Sequence, residues 1–206
     1  LGLFGVFMMA SCSQTKDTFI NRTFHNLSGH YNGYYNAGVK LLEGTDRLAE
    51  QHEDHYDRTL RVYRYANAGK AKSIYPQMDD VIKRTGTGIS RHTLYGNEKP
   101  NSEHWIDDNW LLYGKALFFK HEYFAAMEAF NYVEVTYKKE TTRHLASLWI
   151  AKTYLELTQL NEAENKLDYV RNQSDFPKKN RWELEATFAD YYVQVRNNSK
   201  AIEHLT

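Results

Sequence analysis

The 206-residue chain carries 26 Lys and Arg against 26 Asp and Glu, so its formal charge is zero and it lacks the field that draws proteins to nucleic acid. A hydrophobic share of 42%, with 15% aromatic residues, suffices for a packed core, while a mean hydropathy of -0.70 excludes a polytopic membrane protein. One cysteine permits neither an intramolecular disulfide nor a multi-cysteine zinc site, and three prolines with eleven glycines leave little room for disordered tracts.

The chain opens on the apolar run 1–10, too short to cross a roughly 30 Å hydrocarbon core as a helix but of the length of a signal h-region. It has no initiator Met and no basic flank, so the chain is expected to start a few residues inside its gene product. Met9-Ala10-Ser11-Cys12 resembles the lipobox of bacterial lipoprotein precursors, and Ser13-Gln14-Thr15-Lys16-Asp17 turns polar at once, as a linker does. The resemblance implies that the Cys12 thiol takes a diacylglycerol and that the freed amine accepts a further acyl chain. Two or more chains anchor stably where one does not, at about 0.8 kcal/mol per buried methylene. The expected layout is thus a signal peptide over 1–11 and a linker over 12–20.

Between 21 and 51, Phe24, Leu27, Tyr31, Tyr34, Leu41 and Leu48 recur at helical spacing and predict a long amphipathic helix. Residues 52–75 lack a sustained period and are expected to cross irregularly, with at most one short helix. Pro76 marks a helix start, because the first turn tolerates its missing N–H. Met78, Val81 and Ile82 supply that helix's apolar face, and the glycines of "RTGTGIS" are expected to weaken or end it. A loop, "YGNEKPNSEHW", completes an N-terminal helical region over 21–104.

Beyond Trp105 the chain repeats. An offset of 37 residues pairs Gly114 with Ala151, Leu117 with Tyr154, Ala126 with Ala163 and Phe130 with Leu167, and a further offset of 38 adds Ala189, Tyr192, Ala201 and Leu205. Small residues fall where two helices cross and large ones where hairpins stack. Trp110, Gly114, Ala126 and Phe130 match the tetratricopeptide consensus in type and spacing. The expected fold is all-α: a tetratricopeptide-like helical hairpin array, or α-solenoid, over 105–206. Extra residues around "KKETT" and "SDFPK" lie between repeats. The third copy stops at Thr206 inside its second helix, so further repeats are expected beyond it.

The candidates for chemistry are weak. His52 and His55 have a spacing of three with no third ligand, which does not make a zinc site. "AGKAKS" and "RTGTGIS" lack phosphate-loop spacing, there is no Gly-x-Ser-x-Gly elbow, and Cys12 is assigned to lipidation. Asp79/Asp80 and Asp107/Asp108 are sequence neighbours that cannot face each other on one helix. Tyrosines at 31, 34 and 35 read as core. We expect no enzymatic activity, cofactor, metal or small-molecule substrate. Repeat arrays of this kind present their first helices to a partner. Those positions are Leu111, Lys115 and Phe118, then Leu148, Lys152 and Leu155, then Ala186, Asp190 and Val193. Two lysines stacked between apolar rows suit a partner segment with a carboxylate and apolar side chains. The alternative is that another part of the same polypeptide covers this face.

Three stretches, "TFINRTFHNLSGHYNGYYNA", "VYRYANAGKAKSIYPQMDDVIKR" and "NEKPNSEHWIDDNWLLYGKALFFKHEYFAAMEAFNYV", behind a lipoprotein signal, resemble the N-terminal part of the PorW/SprE-type tetratricopeptide lipoproteins of Bacteroidetes. That resemblance implies an outer-membrane lipoprotein on the periplasmic face. It would bind protein subunits of the type IX secretion and gliding motility machinery and have no catalytic role. It supplies Cys12 as a lipidation site and no contact residues. A helical-repeat, glycan-binding lipoprotein of an outer-membrane uptake system is the competing expectation. Paired exposed Trp or Tyr rings would mark it.

Overall fold

A computed structural model describes residues 34–57, 59–92, 105–138 and 140–206. Every regular element among them is helical. The helices are α1 (Asn36–Glu50), α2 (Ala68–Ala71), α3 (Tyr75–His92), α4 (Ile106–Phe119), α5 (Tyr123–Thr136), α6 (Thr142–Glu156), α7 (Leu160–Arg171), α8 (Arg181–Gln194) and α9 (Asn198–Glu203). Each packs against its neighbour in the chain from α3 onward, and α1 lies on α3. The signal run, Cys12, the linker, the first part of the expected 21–51 helix and the expected loop up to His104 lie outside the described residues.

The irregular crossing is present: residues 52–57 and 59–67 are non-helical, with turns and bends. The Asn67 side chain then accepts from the Lys70 N–H at 2.9 Å and caps α2. A 3-10 turn, Lys72–Ile74, leads into α3, with Pro76 in its first turn. The expectation that glycines end this helix fails, because α3 runs through Gly86 and Gly88 to His92. From Ile74 of the 3-10 turn the buried positions continue along it at Met78, Val81, Thr85 and Gly88, an unbroken stripe. Packing of that stripe outweighs a cost of about 1 kcal/mol per glycine. The Thr85 hydroxyl, fully buried, is satisfied by donating to the Val81 carbonyl at 2.8 Å. Of the N-terminal tyrosines, Tyr34 is half-buried with its ring 5.2 Å from Trp105, while Tyr35 is 57% exposed.

From α4 the chain forms three helix–turn–helix units, α4/α5, α6/α7 and α8/α9. Their turns are superimposable in hydrogen bonding. Glu122 donates to the Leu117 carbonyl at 3.0 Å, Gln159 to Tyr154 at 2.9 Å and Asn197 to Tyr192 at 2.8 Å. One residue earlier, His121, Thr158 and Arg196 each take a left-handed conformation, with φ of 63°, 60° and 59°. This is the Schellman closure of a helix C-terminus, repeated at the offsets seen in the sequence.

The crossing residues follow the same register. A Cβ on Gly114 would stand 2.5 Å from Cε1 of Phe130, so α4 and α5 approach as closely as the Phe130 ring allows. Ala151, Ala163 and Ala126 have no exposure and Ala201 has 4%. Leu205 departs from the pattern: it follows the last residue of α9 and is 58% exposed. Between units, Trp149 of α6 inserts into the first hairpin, 5.2 Å edge-on from Phe118, and Phe176 of the second linker is buried beside Leu184 and Phe188. The first helices α4, α6 and α8 also touch one another in succession, forming one shared face.

Thr158 is the costliest of the left-handed residues, since a branched side chain at positive φ is strained. Thr158→Gly should raise stability by about 0.5–1 kcal/mol in urea denaturation, the relief of strain less the entropy that glycine loses. A loss of stability would contradict the strain.

Candidate functional site

The face shared by α4, α6 and α8 is where sequence reasoning placed a partner, and another part of the chain lies on it. Residues 61–65, Arg-Val-Tyr-Arg-Tyr, cross it as a non-helical strap. Valine and aromatic residues favour an extended backbone. Bends at Val62 and Tyr63 interrupt it, and because four residue steps span at most about 13 Å while helices stand about 8–10 Å apart, the long side chains of Arg61 and Tyr65 make the outer contacts. The strap runs from α8 back to α4, against the order of the repeats.

Its contacts are polar at one end and aromatic at the other. Arg61 grips Asp190 of α8 with two hydrogen bonds, Nε to Oδ1 at 2.9 Å and Nη2 to Oδ2 at 2.6 Å. The same Nη2 reaches Glu156 Oε1 of α6 at 2.7 Å. The Val62 N–H donates to Asp190 Oδ1 at 3.0 Å, so the carboxylate, 1% exposed, accepts from side chain and backbone at once. The Tyr63 hydroxyl donates to the Glu183 carbonyl at 3.0 Å and lies 3.0 Å from the Thr187 hydroxyl. The Tyr63 ring stacks on Tyr65 at 5.3 Å, and the Tyr65 ring meets Phe118 and Phe119 of α4 edge-on at 5.0 and 6.0 Å. The buried Tyr65 hydroxyl finds no hydrogen-bond partner among the described residues.

Lys152 of α6 lies beneath the strap. Its ammonium stands 4.2 Å over the Tyr63 ring and 4.5 Å over Trp149, and bonds Glu183 Oε1 at 2.6 Å. The carboxylate expected from a partner is therefore supplied internally. Burial alone would raise the Glu183 carboxyl, but the Lys152 and Lys115 ammoniums hold it below the ordinary range. Lys115, 5.0 Å over Trp149, is pulled down by burial and by Lys152, with Glu183 and Asp108 opposing. Breaking such a pair by removing one member costs about 3–5 kcal/mol, because the other charge stays buried.

The expected groove positions therefore separate into two sets. Leu111, Leu148 and Leu155 belong to the core between helices, and Phe118 is shared between that core and the strap's Tyr65. Lys115, Lys152 and Asp190 stay on the face, the latter two buried under the strap, and Ala186 and Val193 are half-buried. Sequence reasoning missed Arg61, Tyr63, Tyr65, Glu156 and Glu183. Glu183, Thr187 and Asp190 fall at i, i+4 and i+7, a polar stripe beside the core stripe of Leu184, Phe188 and Tyr191. That stripe was the available signal.

Elsewhere the candidates are pairwise. His52 bonds Asp54 at 3.1 Å and His55 is exposed; among the described residues no group of three or more metal-ligating side chains is placed to hold an ion. Asp79 pairs with Lys120 at 2.9 Å and Asp80 with Arg84 at 2.9 Å. No helix among the described residues is long and apolar enough to cross a membrane. Comparison of the chain with models of known protein families and with curated proteins gives no match.

Asp108, in the first turn of α4, has its carboxyl pushed up to about 7 by burial and then by Asp107, against the pull of Lys115 and Lys179. The folded state keeps a proton that the unfolded chain releases near pH ~4. Stability is therefore lost as pH rises from about 4 to about 7. Asp108→Asn, which mimics the protonated form, should raise the melting temperature at pH 8 by a few degrees and leave it unchanged at pH 4. No gain at pH 8 would show that the carboxyl ionises without cost.

Proposed function

We propose that the chain is a non-catalytic scaffold of the tetratricopeptide type, tethered through acyl chains on Cys12 to the periplasmic face of an outer membrane. There it binds protein components of a type IX secretion and gliding motility machine. The observation that carries the repeat assignment is the turn geometry: the same Schellman closure and the same small-residue crossing recur at offsets of 37 and 38 residues. Such arrays bury a continuous core through stacking and leave an extended side surface for partners. The resemblance of the three quoted stretches to PorW/SprE-type lipoproteins supplies the machine, and the lipobox supplies the anchor.

A scaffold of this kind acts by geometry. Its ion pairs and aromatic stacks set the spacing between hairpins, and that spacing sets where partner contacts fall. For the reading as a glycan-binding lipoprotein, the half-buried Trp110 ring lies 4.7 Å from the exposed Tyr132 ring, whereas the most exposed large aromatics, Tyr56, Phe124 and Trp182, are on separate segments of the described chain.

Deleting the gene should abolish secretion of type IX cargo and spreading on agar, and a Cys12→Ala copy should fail to restore either while its product leaves the membrane fraction. Normal secretion in the deletion strain would overturn the reading.

A further inference from the structure

The strap meets a surface unlike a permanent core. Asp190, Glu183, Glu156, Lys152 and Thr187 form most of it, and four of the strap's five residues, Arg61, Val62, Tyr63 and Tyr65, make all the contacts described. Interior seams that never open are served as well or better by apolar side chains, whereas polar, charge-paired contacts are characteristic of interfaces that form and separate. The strap is also an imperfect occupant. Its deepest side chain, Tyr65, buries a hydroxyl with no partner among the described residues, a group that a phenylalanine would lack. Non-helical chain flanks the strap on both sides, at 59–60 and 66–67, so its departure unwinds no helix. Arg61, the main anchor, remains 37% exposed at the rim.

We propose that the face of α4, α6 and α8 is a recognition site for an extended partner segment of Arg-x-Tyr-x-Phe type, and that residues 61–65 occupy it as a displaceable intrachain pseudo-ligand. The chemistry of each position follows from what the strap meets. Asp190 and Glu156 take a guanidinium. The Glu183 carbonyl, Thr187 and Lys152 take a phenol two residues on. Phe118 and Phe119 take a ring without a hydroxyl two residues further. An occupant in the same chain has an effective concentration of about millimolar, so a partner must exceed it to enter, and the strap acts as a threshold on binding. This deepens the reading of the array as a binding scaffold and rests on it. The secretion assay tests that reading in cells, and the experiment below tests the strap with purified protein.

A labelled peptide of residues 59–66 carrying Tyr65→Phe is titrated by fluorescence anisotropy against the full chain and against the Arg61→Ala/Tyr63→Ala variant, whose strap has lost its anchors. The variant should bind at least about tenfold more tightly than the parent chain, and the same peptide with Arg61→Ala should lose about tenfold or more. No binding to a variant that retains its helical circular dichroism would overturn the proposal, as would equal binding of the two peptides. Hydrogen exchange on the unmodified chain gives an answer even if the variant does not fold. The Val62 amide should exchange about a hundredfold or more faster than the buried Ala151 amide of α6. Equal rates would mean that the strap opens only when the whole array does, which would also overturn it.

Discussion

The contact between Arg61 and Asp190 joins residues 129 apart in sequence and fastens the strap to the first-helix face. Asp190 would be an uncompensated buried charge without the guanidinium. With it, the carboxylate also orders the Val62 backbone, which sets Tyr63 over Lys152 and Tyr65 against α4. Through one five-residue segment the N-terminal region is thus tied to all three hairpins. A helical-repeat array stabilised only by neighbour contacts would lack such a link, since each unit normally touches only the next. Here the strap adds contacts between units that are not neighbours in sequence.

The strap changes how the charged residues of the face are understood. Lys115, Lys152, Glu156, Glu183 and Asp190 are spread over three helices, and in an isolated array they would be a solvated, mixed-charge surface. Under the strap they become a desolvated network in which Glu183 stays ionised because two ammoniums face it. Such networks contribute geometry more dependably than they contribute net stability. The apolar work is done elsewhere, by Phe130 on Gly114, Trp149 against Phe118, and Leu167 with Phe188.

Much of this fold was legible in the sequence because its forces are local and periodic. Gly114, Ala151 and Ala189, with Ala126, Ala163 and Ala201, announced the crossings, and the constant offset carried the turns with them even though His121, Thr158 and Arg196 are not glycines. The start of α3 at Pro76 was legible for the same reason. Its end was not: Gly86 and Gly88 are poor helix formers, and only packing along the stripe through Thr85 keeps the helix going. The site was half legible. Helical phase put Lys115, Lys152 and Asp190 on one face but left open whether the chain itself covers it. Leu111, Leu148 and Leu155 instead fall in the core between helices, because periodicity does not separate a groove-facing row from a neighbouring core row, while Phe118 meets both the core and the strap. Arg61 and Tyr63 were illegible in a segment without a period, since their partners lie more than ninety residues away.

The most direct measurement is a double-mutant cycle on the full chain, with Arg61→Ala, Asp190→Ala and the double variant compared by urea denaturation. If the pair fastens the strap to the third hairpin, its coupling energy should reach about 2 kcal/mol or more, as befits a two-point, charge-assisted contact to a buried carboxylate. A coupling below about 0.5 kcal/mol, the range of independent sites, would contradict the account.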